Sequence, residues 1–293
     1  MRFLILGGAG FIGSHITDTL LEQGHEVICF DNFSSGKEEN LKDKSVVHYG
    51  DLTFKKDITD FFKYFGFFDY VIHCAAQTDV RVSIDNPYMD AKQNILNTLQ
   101  LLDVMEKFNV FRIIFLSSGG AIYSDAIASE TSLPSPKSPY GIAKLSVENY
   151  LQFYSQVKGF DSTILRLSNV YGPRNVKGVV RLFYDCMKEN QPITLNGEGK
   201  QVRDFIHVYD VVSALIHLLP HTGIFNVGTG VGTSILELKN ELHHFTNTPP
   251  HEKDVIKPHI EGEALTSILD IKKIKSTGWR PTYNLRMGLT TLN

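Results

Sequence analysis

The sequence predicts an α/β protein, a doubly wound parallel sheet with a smaller C-terminal substrate-binding lobe. Three observations predict it. A glycine-rich turn joins an apolar run to an amphipathic stretch at the start of the chain. Short apolar runs then alternate with helical patterns through the first half, and after about residue 170 glycines and prolines multiply while the elements shorten. Alternation of strand and helix implies right-handed crossovers, which cover both faces of a parallel sheet with helices. At 293 residues the chain can form one large unit or two joined lobes with a sizeable core.

The first element is the run Phe3-Leu4-Ile5-Leu6, followed by Gly7-Gly8-Ala9-Gly10-Phe11-Ile12-Gly13 and a helical pattern over 14–23. Such a turn lets backbone approach a pyrophosphate, and the helix N-terminus offers it free N–H groups and the positive end of a dipole. A lone glycine fingerprint is a common turn. Here the strand before it, the helix after it and an acid at ribose distance make it a Rossmann-type dinucleotide site. The acid is Asp31, which closes the run Glu26-Val27-Ile28-Cys29-Phe30. A carboxylate there accepts from the adenosine ribose hydroxyls and repels a 2′-phosphate, which favours NAD over NADP. An ordinary turn acid before Asn32 is the plain alternative. Asp51, in Tyr49-Gly50-Asp51-Leu52, is placed to meet the adenine amino group, although a simple turn explains it equally well.

The later elements follow in order. Strands are expected at 27–30, 46–48, 70–73, 112–116 and 162–167, with helices over 58–65, 91–107 and 140–157. The aromatic stretch 61–70 divides into a helix end, a turn at Gly66 and a strand entry, and reads as core. A further buried strand is expected in Ile224-Phe225-Asn226-Val227-Gly228-Thr229-Gly230, and Thr233-Ser234 with Glu237 reads as a helix cap. The expected division is a nucleotide-binding unit over 1–170 with a return segment near 205–235, and a mainly substrate-binding lobe over 171–293. No internal repeat or low-complexity linker interrupts it.

Composition narrows the function. A net charge of −3 without a dense basic block gives nucleic acid no footprint. The three cysteines are scattered, form neither a metal spacing nor a disulfide framework, and suit a reducing cytosol. The apolar start is broken by Gly7, Gly8 and Gly10 and lacks a cleavage site, and no run approaches a membrane span, so a cytoplasmic protein with no membrane partner is expected. The eleven histidines show no metal spacing: His207 lies in a strand pattern and reads as structural, and His243-His244 point in two directions.

Chemistry enters with Ser138-Pro139-Tyr140-Gly141-Ile142-Ala143-Lys144. Ser138 is a good N-cap and Pro139 suits the first helical position, which sets Tyr140 and Lys144 on one face. A phenol titrates near pH ~10, so it needs help to act as a base; a neighbouring ammonium and a positive nicotinamide favour phenolate. Alone, this pair is common on surface helices. It gains weight because the expected strand 111–116 precedes it and leads into Ser117-Ser118-Gly119-Gly120-Ala121-Ile122-Tyr123, where a hydroxyl at the strand's carboxyl end would face the ligand.

At this point the chain resembles the extended short-chain dehydrogenase/reductases, most closely the UDP-glucose 4-epimerase group. The resemblance runs nearly the whole length. It includes the glycine turn, Asp31-Asn32 with Ser34-Ser35-Gly36, Gly50-Asp51-Leu52, His73-Cys74-Ala75-Ala76, Asn94 and the Tyr140/Lys144 pair. It continues through Arg166-Leu167-Ser168-Asn169-Val170-Tyr171-Gly172-Pro173-Arg174, Arg203-Asp204-Phe205-Ile206-His207-Val208 and Gly278-Trp279-Arg280-Pro281. The resemblance implies that Tyr140 takes the proton of a sugar hydroxyl while a hydride passes to NAD. Lys144 would hold the nicotinamide ribose and a serine would steady the hydroxyl. In an epimerase the bound 4-keto sugar then swings over and the hydride returns to its opposite face.

NAD is accordingly expected against Gly7, Gly10, Phe11, Ile12, Gly13, Asp31, Asn32, Ser35, Gly36, Asp51, Leu52, Cys74, Ala75, Ala76, Gln77, Asn94, Ser117, Tyr140 and Lys144. A nucleotide-diphosphate sugar is expected against Thr78, Ser118, Gly119, Asn169, Val179, Thr194, Asn196 and Arg203. A homodimer through a four-helix bundle, from the helices near 91–107 and 140–157, is also implied.

The chain departs from the family pattern in three places. The usual hydroxyl position falls on Gly119; we assign the role to the adjacent Ser118, against the alternative that it satisfies local backbone. Family dehydratases carry an Asp-Glu pair, and decarboxylases a Glu, where this chain has Gly120 and Ala121. That removes the usual proton-handling groups for elimination or decarboxylation and leaves oxidation and reduction at one carbon. At the nucleotide end, Asn196 stands where relatives often stack an aromatic on uracil, and Ile260, before Glu261-Gly262-Glu263, replaces a phosphate-binding arginine. Arg203 matches the other such arginine, with Arg174 and Arg181 as further candidates. A nucleotide-sugar 4-epimerase is the first reading, a 4-ketoreductase the second, and a non-catalytic NAD-binding regulator on the same fold the third.

Overall fold

The computed structural model describes residues 1–42, 46–124, 126–259 and 264–292. At its centre lies a parallel sheet of β1 (Arg2–Leu6), β2 (Glu26–Asp31), β3 (Val46–Tyr49), β4 (Tyr70–His73), β5 (Arg112–Ser118), β6 (Asp161–Leu167) and β7 (Gly223–Val227). The order across the sheet is β7-β6-β5-β4-β1-β2-β3, with every neighbouring pair parallel. The chain therefore starts in the middle, steps out to one edge, then passes back over β1 towards the other. The reversal between β1 and β4 is the switch point, outside whose strand ends a ligand crevice forms.

The inner strands are buried because helices cover both of their faces, whereas the edge strand β3 leaves Val47 and Tyr49 exposed. In β1, Phe3 and Ile5 pack with Ile16, Leu20 and Val27 on one side, while Leu4 and Leu6 pack with Ile58, Phe61 and Phe62 on the other. An unbroken apolar run is the signature of such a two-sided strand. The helix after the glycine turn spans Phe11–Glu22, beginning before the expected residue 14 because Gly10, in extended backbone, already serves as its N-cap. The aromatic stretch is core in part: helix Lys55–Phe65 ends at Gly66 with φ +74°, and Phe61, Phe62, Phe68 and Tyr70 are enclosed, but Tyr64 and Phe67 face outward.

The single helix expected over 91–107 is instead three pieces. Pro87–Ala91 leads through a π-turn, Lys92–Leu96, into Asn97–Lys107. The wider turn carries Asn94, a buried side chain that reaches back to the loop after β4.

The C-terminal half builds its own sheet. Val202–His207 pairs antiparallel with Gly232–Ser234 and parallel with Thr266–Leu269 and Asn169–Tyr171; Thr266–Leu269 also pairs with Ala126–Ala128. A separate core of Tyr171, Phe183, Tyr184, Phe205, Leu238 and their neighbours supports it. The two halves interleave. Helix Val208–His217 packs on helix Phe11–Glu22, β7 extends the central sheet, and Leu269, Ile271, Ile274 and Trp279 join the sheet-side core. Helix Ile235–Thr246 carries the anticipated capping box, in which Glu237 N–H donates to Ser234 Oγ at 3.1 Å and Ser234 N–H to Glu237 Oε2 at 2.7 Å. No described helix is long and apolar enough to cross a membrane.

Candidate active site

The glycine turn is held by close backbone contacts that a side chain would break. Gly7 has φ +76°, and a Cβ on it would lie 2.7 Å from the Ala75 nitrogen after β4. A Cβ on Gly13 would lie 2.2 Å from the Gly7 carbonyl oxygen, so the helix seats on the turn only without one. Asp31, 7% exposed at the end of β2, braces the turn from the side: Oδ2 accepts from Ala9 N–H at 2.9 Å and Oδ1 from Phe33 N–H at 2.8 Å. The turn-acid role and a ribose-binding role thus coexist in one carboxylate, because each oxygen has a second lone pair.

Asp51 accepts from Asn32 Nδ2 at 3.0 Å and from Thr53 N–H at 2.7 Å. Burial pushes its carboxyl up, but these bonds outweigh burial and hold it below its ordinary value.

These groups line one cavity of about 730 Å³ at the switch point. Its wall contains Gly7, Gly10, Phe11, Ile12, Gly13, Asp31, Asn32, Ser35, Asp51 and Leu52, then Cys74, Ala75, Ala76, Gln77 and Thr78, and finally Ser117, Tyr140 and Lys144. The first-turn amides of helix Phe11–Glu22 lie beside this space, without intrahelical partners of their own. A backbone cradle that a Cβ would fill, a helix N-terminus and an acid at the next strand end fit a dinucleotide's pyrophosphate and ribose.

Two residues expected at the cofactor line no part of the cavity. Gly36 packs against Ala9. Asn94 is a brace: its Oδ1 accepts from Gln77 N–H at 2.9 Å, and its Nδ2 donates to Gln77 O at 3.0 Å and Asp90 Oδ1 at 2.9 Å. It fixes the loop that carries Gln77 and Thr78.

Helix Pro139–Lys158 supplies the reactive pair. Ser138 caps it by accepting from Gly141 N–H at 3.1 Å, with Pro139 in the first turn. Tyr140 and Lys144 are both buried on its inner face. The Ser118 hydroxyl lies near enough to the Tyr140 phenol to favour its ionised form. Lys144 Nζ donates to Leu116 O at 2.8 Å and lies 4.6 Å from the Phe115 ring centroid and 5.8 Å from that of Tyr140.

The ionisation of this pair differs from the expectation that the ammonium lowers the phenol. Burial pushes Tyr140 up to about 12; the Ser118 hydroxyl opposes this and the Asp90 carboxylate adds to it. Burial also depresses Lys144 to about 8, against the pull of Cys74, Glu148 and Asp90. Desolvation wins because both groups are enclosed and the ammonium is turned to a strand carbonyl. The chain's own residues therefore hold Tyr140 as a neutral phenol at pH 7.

A Cβ at Gly119 would meet Leu269 Cδ2 at 2.6 Å, so a hydroxyl-bearing side chain there would require that leucine to shift. Gly120 has room: a Cβ would find only Ser267 Oγ at 3.6 Å and Asn169 Oδ1 at 3.8 Å, yet no carboxylate is present.

The other substrate-side candidates are dispersed outside the cavity wall. Asn169 opens strand Asn169–Tyr171, Val179 begins helix Val179–Lys188, Thr194 and Asn196 bound strand Thr194–Asn196, and Arg203 lies in Val202–His207 with Nη1 donating to Val202 O at 2.9 Å. Ile260 and the Glu261-Gly262-Glu263 element lie outside the described residues. Arg174 lines the cavity and donates to Asp18 Oδ2 at 2.7 Å, while Arg181 pairs with Asp185 on its own helix. His207 is enclosed between Tyr171, Tyr209 and Tyr283 and bonded to Thr291 at 2.9 Å.

Sequence reasoning passed over Glu148. It is wholly buried, one turn beyond Lys144, and ion-paired with Arg166. A carboxylate continuing the inner-face stripe of Tyr140 and Lys144 was the signal available.

The sequence matches the NAD dependent epimerase/dehydratase family over residues 3–228. It is 39% identical over 297 residues to a putative UDP-glucose 4-epimerase of Methanocaldococcus jannaschii, covering 98% of this chain and 95% of that protein. The fold superposes on the UDP-glucose 4-epimerase of Thermotoga maritima, solved with UDP-glucose, with a TM-score of 0.93 and 40% identity, covering 99% of this chain and 97% of that one. It matches the Thermus thermophilus UDP-glucose 4-epimerase in complex with NAD equally well, at TM-score 0.93 and 36% identity, over 99% and 97% of the two chains.

Proposed function

This chain belongs to the NAD dependent epimerase/dehydratase family, and from that premise we propose that it is an NAD-dependent nucleotide-sugar 4-epimerase working through a bound 4-keto sugar. The observation that carries the reading is that Tyr140 and Lys144 line one end of a dinucleotide-shaped cavity with Ser118 beside the phenol, next to a Gly120 position with room for a carboxylate but none present.

The glycine turn and the first turn of helix Phe11–Glu22 would hold the pyrophosphate, and Asp31 the adenosine ribose. When bound, NAD supplies a positive ring and a reversible two-electron acceptor. Tyr140 exchanges a proton between its phenol oxygen and the sugar hydroxyl, Ser118 holds that hydroxyl in line, and Lys144 fixes the nicotinamide ribose. Thr78, Ser118 and Gly119 face the sugar, while Asn169, Val179, Thr194, Asn196 and Arg203 take the nucleotide diphosphate. The Thermotoga relative was solved with UDP-glucose, which makes a UDP-sugar the first substrate to test.

The test uses protein as purified. Tightly held NAD(H) by mass spectrometry, with sugar epimerised without added cofactor, supports the reading; stoichiometric consumption of NADH or NADPH makes the protein a ketoreductase instead. A thermal-shift screen of UDP-, GDP-, CDP- and dTDP-sugars ranks the nucleotide, because preferential binding to the folded state raises stability directly.

A second copy of the chain is the partner we infer for the outer face of helices Asn97–Lys107 and Pro139–Lys158. Leu96, Tyr150, Phe153 and Val157 are exposed there beside a groove of about 610 Å³. Light scattering that finds a monomer at micromolar concentration would remove this inference. With three free cysteines the proposed compartment is the cytoplasm.

A further inference from the structure

Three successive residues at the end of β5 each meet a different member of one helical stripe, two of them through hydrogen bonds. Lys144 Nζ donates to Leu116 O at 2.8 Å and Ser117 Oγ donates to Glu148 Oε1 at 2.5 Å, while Ser118, next along the strand, faces the Tyr140 phenol. Tyr140, Lys144 and Glu148 follow one another at single-turn spacing, so the stripe and the strand end are joined like rungs.

The Glu148 rung is the most heavily built. Its carboxylate also accepts from Arg166 Nε at 3.1 and 3.0 Å and from Nη2 at 2.6 Å. Arg166 is the Cα partner of Ser117 across the β5–β6 pair. Its Nη1 donates to Tyr123 Oη at 2.5 Å, and Tyr123 donates to Asn226 Oδ1 on β7 at 3.1 Å. The carboxylate thus ties the catalytic helix to three strands at the level of Ser118. A buried ion pair is weak evidence of net stability, because desolvation offsets much of its attraction. Conformational specificity is the better reason to place one here.

We propose that Glu148, held by Arg166 and acting through Ser117, is a positioning residue that sets the placement of Ser118 against Tyr140. This rests on the reading of Tyr140, Ser118 and Lys144 as the reaction centre. The groups facing Lys144 are Tyr140 and Glu148 on its own helix, His73 and Cys74 at the end of β4, and Asp90 on helix Pro87–Ala91. The negative charge of Glu148 raises the lysine against burial. Removing it while Arg166 stays positive favours loss of the lysine proton at lower pH.

The test compares three variants of the cofactor-loaded protein. Tyr140→Phe reports on the reaction centre: loss of at least 100-fold in kcat is expected, and unchanged activity sinks the centre itself. Ser117→Ala keeps the ion pair, and hence the fold, but cuts its link to β5. A 5- to 20-fold fall in kcat with KM unchanged is expected, and bound NAD is expected to stay because the Ser117 hydroxyl, although in the cavity wall, donates to Glu148. Glu148→Gln keeps the shape and removes the charge; the alkaline limb of the kcat profile is expected to move to lower pH by half a unit or more, with part of the activity recovered in Glu148→Asp. With Tyr140→Phe inactive, wild-type kcat in Ser117→Ala overturns the positioning role whether or not Glu148→Gln folds. So does an unmoved alkaline limb in Glu148→Gln, or loss of NAD from Ser117→Ala, which would make Ser117 a cofactor contact.

Discussion

At the glycine turn, Gly7, Gly13 and Asp31 belong to one strand–helix–strand unit and act through backbone: a Cβ has nowhere to go, and the acid grips two N–H groups. In the C-terminal lobe, the proposed nucleotide contacts arrive on three separate strands and the start of a helix, each through a side chain. The difference is one of tolerance. Backbone packed against backbone leaves no room for another residue, whereas a side chain at a strand end can be exchanged without disturbing the strand. A single fold can therefore keep its cofactor end constant while its substrate end diversifies, and the Asn196 departure falls in that lobe.

Gly13→Ala strikes the intolerant end and is expected to have the largest effect. Relieving a 2.2 Å approach to Gly7 O must move the turn, with overpacking worth ~1–3 kcal/mol. Purified variant should lack bound NAD and show background activity; full NAD content by mass spectrometry would break the comparison.

Arg203→Ala strikes the other end. Losing a charged hydrogen bond of ~1.5–3 kcal/mol should raise KM roughly 10- to 100-fold while NAD content stays at the wild-type level. An unchanged KM removes Arg203 from the diphosphate site.

Lys144 sits where the two ends meet, and its cost is readable from pH. Burial lowers its value from 10.5 to about 8, so between these values the unfolded chain binds a proton that the folded chain has released. Stability from this residue accordingly rises with pH through that window, at most ~1.4 kcal/mol per unit. Urea unfolding of wild type against Lys144→Met should show wild type gaining on the variant from pH 8 to 10.5, and a constant difference would show that the lysine is not buried as described.

The smallest effect is expected far from the chemistry. Ser234→Ala removes a helix cap in the lobe and should cost ~1 kcal/mol in unfolding measurements with kcat unchanged. A fall in kcat would mean that the lobe's helix helps to set the reaction centre.

Much of this was legible because its causes are local. The run Phe3-Leu4-Ile5-Leu6, the glycine spacing, Asp31 and the Ser138 cap each act within a few residues of chain, and the Ser234–Glu237 box shows the same inside the lobe. Family resemblance added the roles of the reactive pair and the substrate side. Contacts made across the fold were not legible. The π-turn at Lys92–Leu96 depends on Asn94 meeting Gln77, and Trp279 returns from the expected lobe to the sheet core.

The amino-acid order alone was enough for the parallel α/β architecture, the dinucleotide turn and the Tyr140/Lys144 pair, since periodicity, glycine sterics and helical spacing are properties of neighbouring residues. Tertiary structure alone decided that burial raises the Tyr140 phenol and depresses the Lys144 ammonium, and that Glu148 locks the helix to the sheet. Each of those depends on burial and on partners distant in sequence, and desolvation exists only once the chain has closed around the group.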